Sequence, residues 1–258
     1  MNESNSKSID LLGIKPVGDA IKTATDSTFK GAAAFLGRIC LPAAEEFGLL
    51  LKDRVNHWRA KNAAKIIQDA EAKVNKYTQG QVHAHPRLVF EAIDKGSWSD
   101  DDVIQEMWAG ILASSCTKDG SDDSNVVFTA ILSQLTGVQL RILNYAVGAS
   151  PKFVSKTGLP YADIVKINFE KLTAITGIND VHRLDRELDH MRSLELIGQA
   201  FFGGGGFDTN SNLDAHICLS SLALHLYVRG QGFRESPVEF FKLTTKPEES
   251  KTVVSSKT

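Results

Sequence analysis

In the stretch VHRLDRELDH, six residues separate Arg183 from His190. An arginine and a histidine held together would activate a ribose 2′-hydroxyl and stabilise the phosphorane that follows. The same stretch offers a second chemistry. Arg183 and Arg186 would reach phosphates or guanine edges from a helix laid in a groove, with His190 and Arg192 beside them. Asp185, Glu187 and Asp189 dilute that charge, and phosphate contact is what drives affinity for nucleic acid. The candidate binding surface is therefore Arg183, Arg186, His190 and Arg192, together with a local basic surface at Arg59 and Lys65.

Other constellations read as architecture. Asp100, Asp101 and Asp102 follow Ser99, the expected N-cap, and acids in a first turn face the positive end of a helix. Consecutive helical residues do not face one another, so the run is not a carboxylate pair. His83 and His85 have no Cys, Asp or Glu nearby to complete a metal set. Gly203–Gly206 runs into FDTNSNLD rather than the Lys-Ser/Thr of a phosphate loop. No G-x-S-x-G, H-E-x-x-H or C-x-x-C occurs. No cofactor and no metal are expected.

The elements that must position these residues are mostly helical. Of 258 residues, 42% are hydrophobic and 23% charged, and the formal charge is −2. That is the profile of a globular chain with a real core, and it argues against a general nucleic-acid coat. The three cysteines, Cys40, Cys116 and Cys218, are scattered, neither a disulfide framework nor a zinc spacing. A reducing compartment, hence a cytoplasmic location, is the expectation.

Pro42 opens an apolar stripe through Ala44, Phe47, Leu51, Val55, Trp58, Ile66, Ala70, Val74 and Tyr77, which predicts one long amphipathic helix. Asn62 lies on that stripe and predicts a buried polar contact. Pro86 starts a helix that Gly96 ends, and Ser99 opens the next. Thr136 and Gln139 form a capping box for a short helix at LRILNYAV. YADIVKINFEKLTAI, read as a helix, and a helix capped by Asn179 follow. Then come LELIGQAFF as a strand, the four glycines as a turn, and AHICLSSLALHLYVRG as a strand and helix.

The expected fold is mainly α. An N-terminal helical region with one long amphipathic helix precedes a C-terminal winged-helix-like α+β domain with a small β-hairpin. The expected division is a mobile head at 1–15, a helical domain at 16–125, a winged-helix-like domain at 126–241 and a disordered tail at 242–258.

The block RICLPAAEEFGLLLKDRVNHWRAKNAAKIIQDAEAKV resembles the signature helix of the abortive infection alpha family. Pro42, Ala43, Glu46, Gly48, Asp53, Val55, Trp58, Arg59, Lys61 and Asn62 carry the likeness. HPRLVFEAIDKGSWSDDDVIQEMWAGILASS and LSSLALHLYVRG extend it over about 35–230. The resemblance implies a bacterial anti-phage role, with no catalytic motif to transfer. Separately, the Arg183–His190 spacing resembles the arginine-to-histidine motif of HEPN-type RNases, with Leu184 where that family prefers a polar group.

The leading expectation is a non-enzymatic defence protein that binds a phage or host protein. Three alternatives stand beside it: a membrane effector using residues 18–51, an RNase using Arg183 and His190, and a winged-helix DNA-binding regulator. Self-association along the long helix is a further expectation.

Overall fold

The computed structural model describes residues 27–50, 57–78, 80–198 and 214–244. The expected mobile head, the turn at Gly203–Gly206, Leu51 and Val55 of the stripe, and the expected tail beyond 244 lie outside the described residues. Among the described residues there are eleven helices and three small antiparallel sheets. Contacts divide the chain into two compact units, Met1–Asn144 with Leu226–Arg234, and Tyr145–His225 with Glu235–Thr258.

In the first unit α1 (Ser27–Ile39), α2 (Leu41–Leu50) and α3 (His57–Tyr77) precede β1 (His83–Ala84), α4 (Pro86–Gly96), α5 (Asp102–Ser114) and β2 (Cys116–Thr117). α6 (Val126–Leu132), the first half of α7 (Gly137–Ala149) and the end of α10 (Ser221–Gly230) complete it. The long stripe is thus seen as two helices, α2 and α3, whose connection lies outside the described residues.

The buried face of α3 is broad and comprises Ala60, Asn62, Ala63, Ala64, Ile66, Ile67, Ala70 and Val74. Trp58, expected inward, is 44% exposed. It sits five residues from Ala63, about 140° around the helix, so the stripe was misphased across its first turn. Tyr77 is exposed at the helix end, edge-on to Phe233. The small side chains let α3 lie close against α5, its most extensive neighbour. Trp108, Ile66, Met107 and Leu112 are among the largest fully buried side chains.

Local chemistry explains the helix ends. Pro86 stands in the first turn of α4, where its missing N–H costs nothing, and the Arg87 amide donates to His85 Nδ1. Gly96 ends that helix; a Cβ there would come within 2.9 Å of the Trp108 ring. The cap of α5 is Asp101 rather than the expected Ser99. Its Oδ1 accepts from the Val103 and Ile104 amides, while Ser99 Oγ accepts from the Asp101 amide. The reason is distant in sequence: Asp101 Oδ2 also accepts from Arg141 Nη2 at 2.7 Å. The capping box of α7 is present as expected, with the Thr136 amide donating to Gln139 Oε1 and the Gln139 amide to Thr136 Oγ1.

Burial pushes the Asp101 carboxyl up, but the Arg141 hydrogen bond and charge and the two capping amides outweigh it and hold the group below its ordinary value. Burial likewise opposes Glu91, where the Thr129 hydroxyl and Arg87 prevail in the same direction. A carboxyl depressed on folding contributes stability above its unfolded value of about 4, and loses it as pH falls through the folded value. Urea midpoints of the first unit should therefore fall steadily below about pH 4. Asp101→Asn keeps a capping oxygen but loses the ionic partner, and should flatten that part of the acid profile.

The second unit holds the rest of α7, β3 (Lys152–Val154), β4 (Pro160–Ala162), β5 (Val165–Ile167), α8 (Phe169–Thr176), α9 (Val181–Ser193), β6 (Ile197–Gly198), β7 (Ala215–Leu219) and α11 (Pro237–Phe241). YADIVKINFEKLTAI, expected to be helical throughout, is instead strand and then helix. Val165 and Ile167 are buried around exposed Lys166, a period of two that a helix cannot serve. β3 and β4 pair as a hairpin, with Phe153 opposite Tyr161. The other sheet runs β5-β7-β6, antiparallel throughout, with Val165 opposite Ile217 and Ile197 opposite Leu219. Asn168 caps α8, and Gly177 ends it at φ +73°, where a Cβ would be strained. Leu172, Leu184, Leu188, Met191 and Ile197 form the unit's buried set with the inner face of β7.

Candidate functional site

α9 begins at Asp180, one residue beyond the expected Asn179. Asp180 Oδ1 accepts from the amides of His182 and Arg183, which fixes the helix start one position later. That choice sets the faces. Leu184, Glu187, Leu188 and Met191 turn inward, while His182, Arg183, Asp185, Arg186 and Asp189 are exposed.

The four candidate residues on α9 differ in what they have free. Arg183 Nε lies 3.9 Å from Glu187 Oε1, whose side chain is only 10% exposed. Arg186 is exposed and meets no ionic partner among the described residues. His190 is half-buried one turn beyond Glu187. Arg192 pairs with Asp189, and its Nε is buried without an acceptor. Arg183, Glu187 and His190 thus follow one another along one side of the helix, at the three- and four-residue spacing that makes helical neighbours. The outward face alternates in sign. Over the whole second unit, Asp and Glu slightly outnumber Lys and Arg.

Arg59 and Lys65 lie on α3 in the first unit. The Arg59 side chain is 13% exposed. Its Nε donates to Ser97 Oγ at 3.0 Å, and Nη2 donates to the Asp94 carbonyl at 3.0 Å and to Asp94 Oδ1 at 2.8 Å. The guanidinium stacks 4.0 Å from the centre of the Trp98 ring. Arg59 is occupied in holding the end of α4. Lys65 pairs with Asp102 across an exposed surface.

Asn62 makes the buried contact its place on the stripe predicted: Nδ2 donates to the Ser97 carbonyl at 3.0 Å. Sequence reasoning missed the role of Glu187 as the partner of Arg183, and missed the polar groups gathered around Lys61. The four-residue step from Arg183 to Glu187 was a signal for the first, and the polar break at Asn62 for the second.

No group of three or more His, Cys, Asp or Glu side chains among the described residues could hold a metal ion. Cys40 and Cys116 are buried and Cys218 is half-buried, all as free thiols. Burial pushes the Cys116 thiol up to about 12, so it stays protonated. No single helix among the described residues is long and apolar enough to cross a membrane. The bent pair α6 and α7 meets that test by length and composition only. α1 and α2, the described part of the expected membrane segment, pack Phe29, Phe35, Leu36, Ile39 and Phe47 into the core.

A family profile described as abortive infection alpha matches residues 59–203, from Arg59 on α3 to beyond β6. The chain belongs to the abortive infection alpha family. No curated protein and no solved structure matches it significantly.

Proposed function

We propose that this chain serves anti-phage defence by recognising a phage or host protein through the outer face of α9, without catalysing a reaction. The observation that carries this reading is the alternation of His182, Arg183, Asp185, Arg186 and Asp189 on one exposed helical face. A surface that carries both signs suits a polypeptide with complementary charges. It suits a phosphate backbone poorly, because that contact needs cations without interleaved acids.

A winged-helix reading of the second unit is supported by the order of its elements. After helix α7 and the β3–β4 hairpin come strand β5, helices α8 and α9, then strands β6 and β7, and the last strand lies in the middle of its sheet. In such a module α9 is the recognition helix. Family membership supports the defence role, and a cytoplasmic site of action fits the free thiols.

The test is phage challenge of cells that express the wild type or an Asp185→Lys/Asp189→Lys variant, combined with recovery of partners from infected cells. If α9 reads a protein, the variant loses the partner and at least tenfold of the protection. If α9 reads nucleic acid, the two added lysines strengthen retention on DNA or RNA, and the proposal falls.

A second reading rests on the row Arg183, Glu187 and His190. The carboxylate would orient the histidine as a general base, and the arginine would bind phosphate. His190→Ala with full protection in the same challenge ends that reading.

A further inference from the structure

Between α1, α3 and the segment that joins α4 to α5, the first unit holds a cavity of about 380 Å³, within the range of small-molecule sites of about 300–1,000 Å³. Polar side chains project from walls that are otherwise mostly apolar, with Phe29 among them. Lys61 and Lys65 enter from one side of α3, four residues apart and therefore neighbours. Lys61 meets no hydrogen-bonding or ionic partner among the described residues. Among the described residues Lys65 pairs with Asp102, whose side chain is 86% exposed, and interacts electrostatically with Asp69; an exposed pair of the first kind is worth about 0–1 kcal/mol. A ligand anion can displace it.

Three side-chain amides line the same cavity, and each donates one N–H within the protein. Asn62 Nδ2 donates to the Ser97 carbonyl, Gln68 Nε2 to the Thr28 carbonyl at 3.0 Å and Gln105 Nε2 to the Ser99 carbonyl at 2.8 Å. Asn62 and Gln105 are themselves almost wholly buried. One N–H of each amide is thereby fixed, which orients its carbonyl oxygen as an acceptor and leaves a second N–H. Asp100 adds a carboxylate that no described group neutralises. The cavity is therefore two-sided in chemistry, with ammonium groups from α3 and acceptors already oriented elsewhere on its lining.

We propose that this cavity binds a mononucleotide, with phosphate on Lys61 and Lys65 and the N–H edge of the base on Asp100 and the amide oxygens. A base rich in donors fits best. Guanine presents a ring N–H beside an amino group, which one carboxylate accepts together, whereas uracil presents a single ring N–H. The inference concerns the first unit alone and does not rest on the α9 reading.

The experiment is calorimetric titration of the full chain with GMP, UMP, guanosine and inorganic phosphate, each repeated with Lys61→Ala/Lys65→Ala. GMP should bind with Kd below about 1 mM, and UMP, guanosine and phosphate should each bind at least tenfold more weakly. The double variant should lose at least tenfold in GMP affinity and keep the wild-type circular dichroism. If the double variant does not fold, Lys61→Ala, which breaks no hydrogen bond or ion pair among the described residues, takes its place. Absence of GMP binding, equal binding of GMP and guanosine, equal binding of GMP and UMP, or undiminished binding by the lysine variant would each overturn the proposal.

Discussion

Gly110→Ala should cost the first unit at least about 3 kcal/mol, and leave little folded protein at 37 °C. Gly110 lies on α5 against the end of α10. A Cβ added there would stand 1.6 Å from the carbonyl oxygen of Gly230 and 2.1 Å from its carbonyl carbon. Both are main-chain atoms of a helix, so relief requires moving one helix bodily off the other. The facing substitution is the informative control. A Cβ on Gly230 would meet Met107 Sδ at 2.3 Å and its terminal carbon at 2.5 Å. A thioether end can swing aside, and alanine is favoured over glycine in a helix by about 1 kcal/mol. Gly230→Ala should therefore cost no more than about 1 kcal/mol. Urea denaturation of the two variants checks the asymmetry; equal losses would mean that the helices separate easily at this crossing.

Arg59→Ala should destabilise the same unit by about 2 kcal/mol, and Arg59→Lys should recover less than half of that. The ion pair with Asp94 is not the main reason, because that carboxylate is 72% exposed and water screens it. The larger losses are the hydrogen bonds to Ser97 Oγ and the Asp94 carbonyl and the stacking on Trp98. Lysine restores a charge but has neither the planar face nor the fork that reaches both oxygens. Unfolding midpoints of the two variants, with the fluorescence of Trp98 as a second readout, measure the effect. A full rescue by lysine would show that charge alone matters at this position.

These two cases show where sequence reasoning reaches and where it stops. Pro86, Gly96 and the Thr136–Gln139 box were legible because each acts within one turn of its own helix. The stretch SWSDDD offers several capping side chains, and Arg141, forty residues on, selects Asp101 among them. Val165–Ile167 is a strand because β7 arrives beside it, and three residues cannot announce that alone. Trp58 was placed inward by a repeat that holds only after Asn62. On α9 the row of charged residues could be read directly, since spacing on a helix is local. The state of each side chain could not: Arg192 is taken by Asp189, and Arg59 by the end of a helix thirty-five residues away. The cavity beside Lys61 was invisible for the same reason, because its amides are oriented by carbonyls at Thr28, Ser97 and Ser99.

The position of β7 has a consequence for how the chain is made. It is the central strand of its sheet, yet it follows β5 by nearly fifty residues and β6 by more than fifteen. At about 5–20 residues per second, β5 waits on the order of 2–10 seconds on a translating ribosome before its neighbour has been synthesised. Gly230, which closes against Gly110, comes later still. Neither compact unit can be completed until the stretch from Ala215 to Arg234 is in place, so a nascent or truncated chain that stops before Ala215 has both units unfinished. Full-length synthesis thereby acts as a timer on the appearance of the finished protein in the cell.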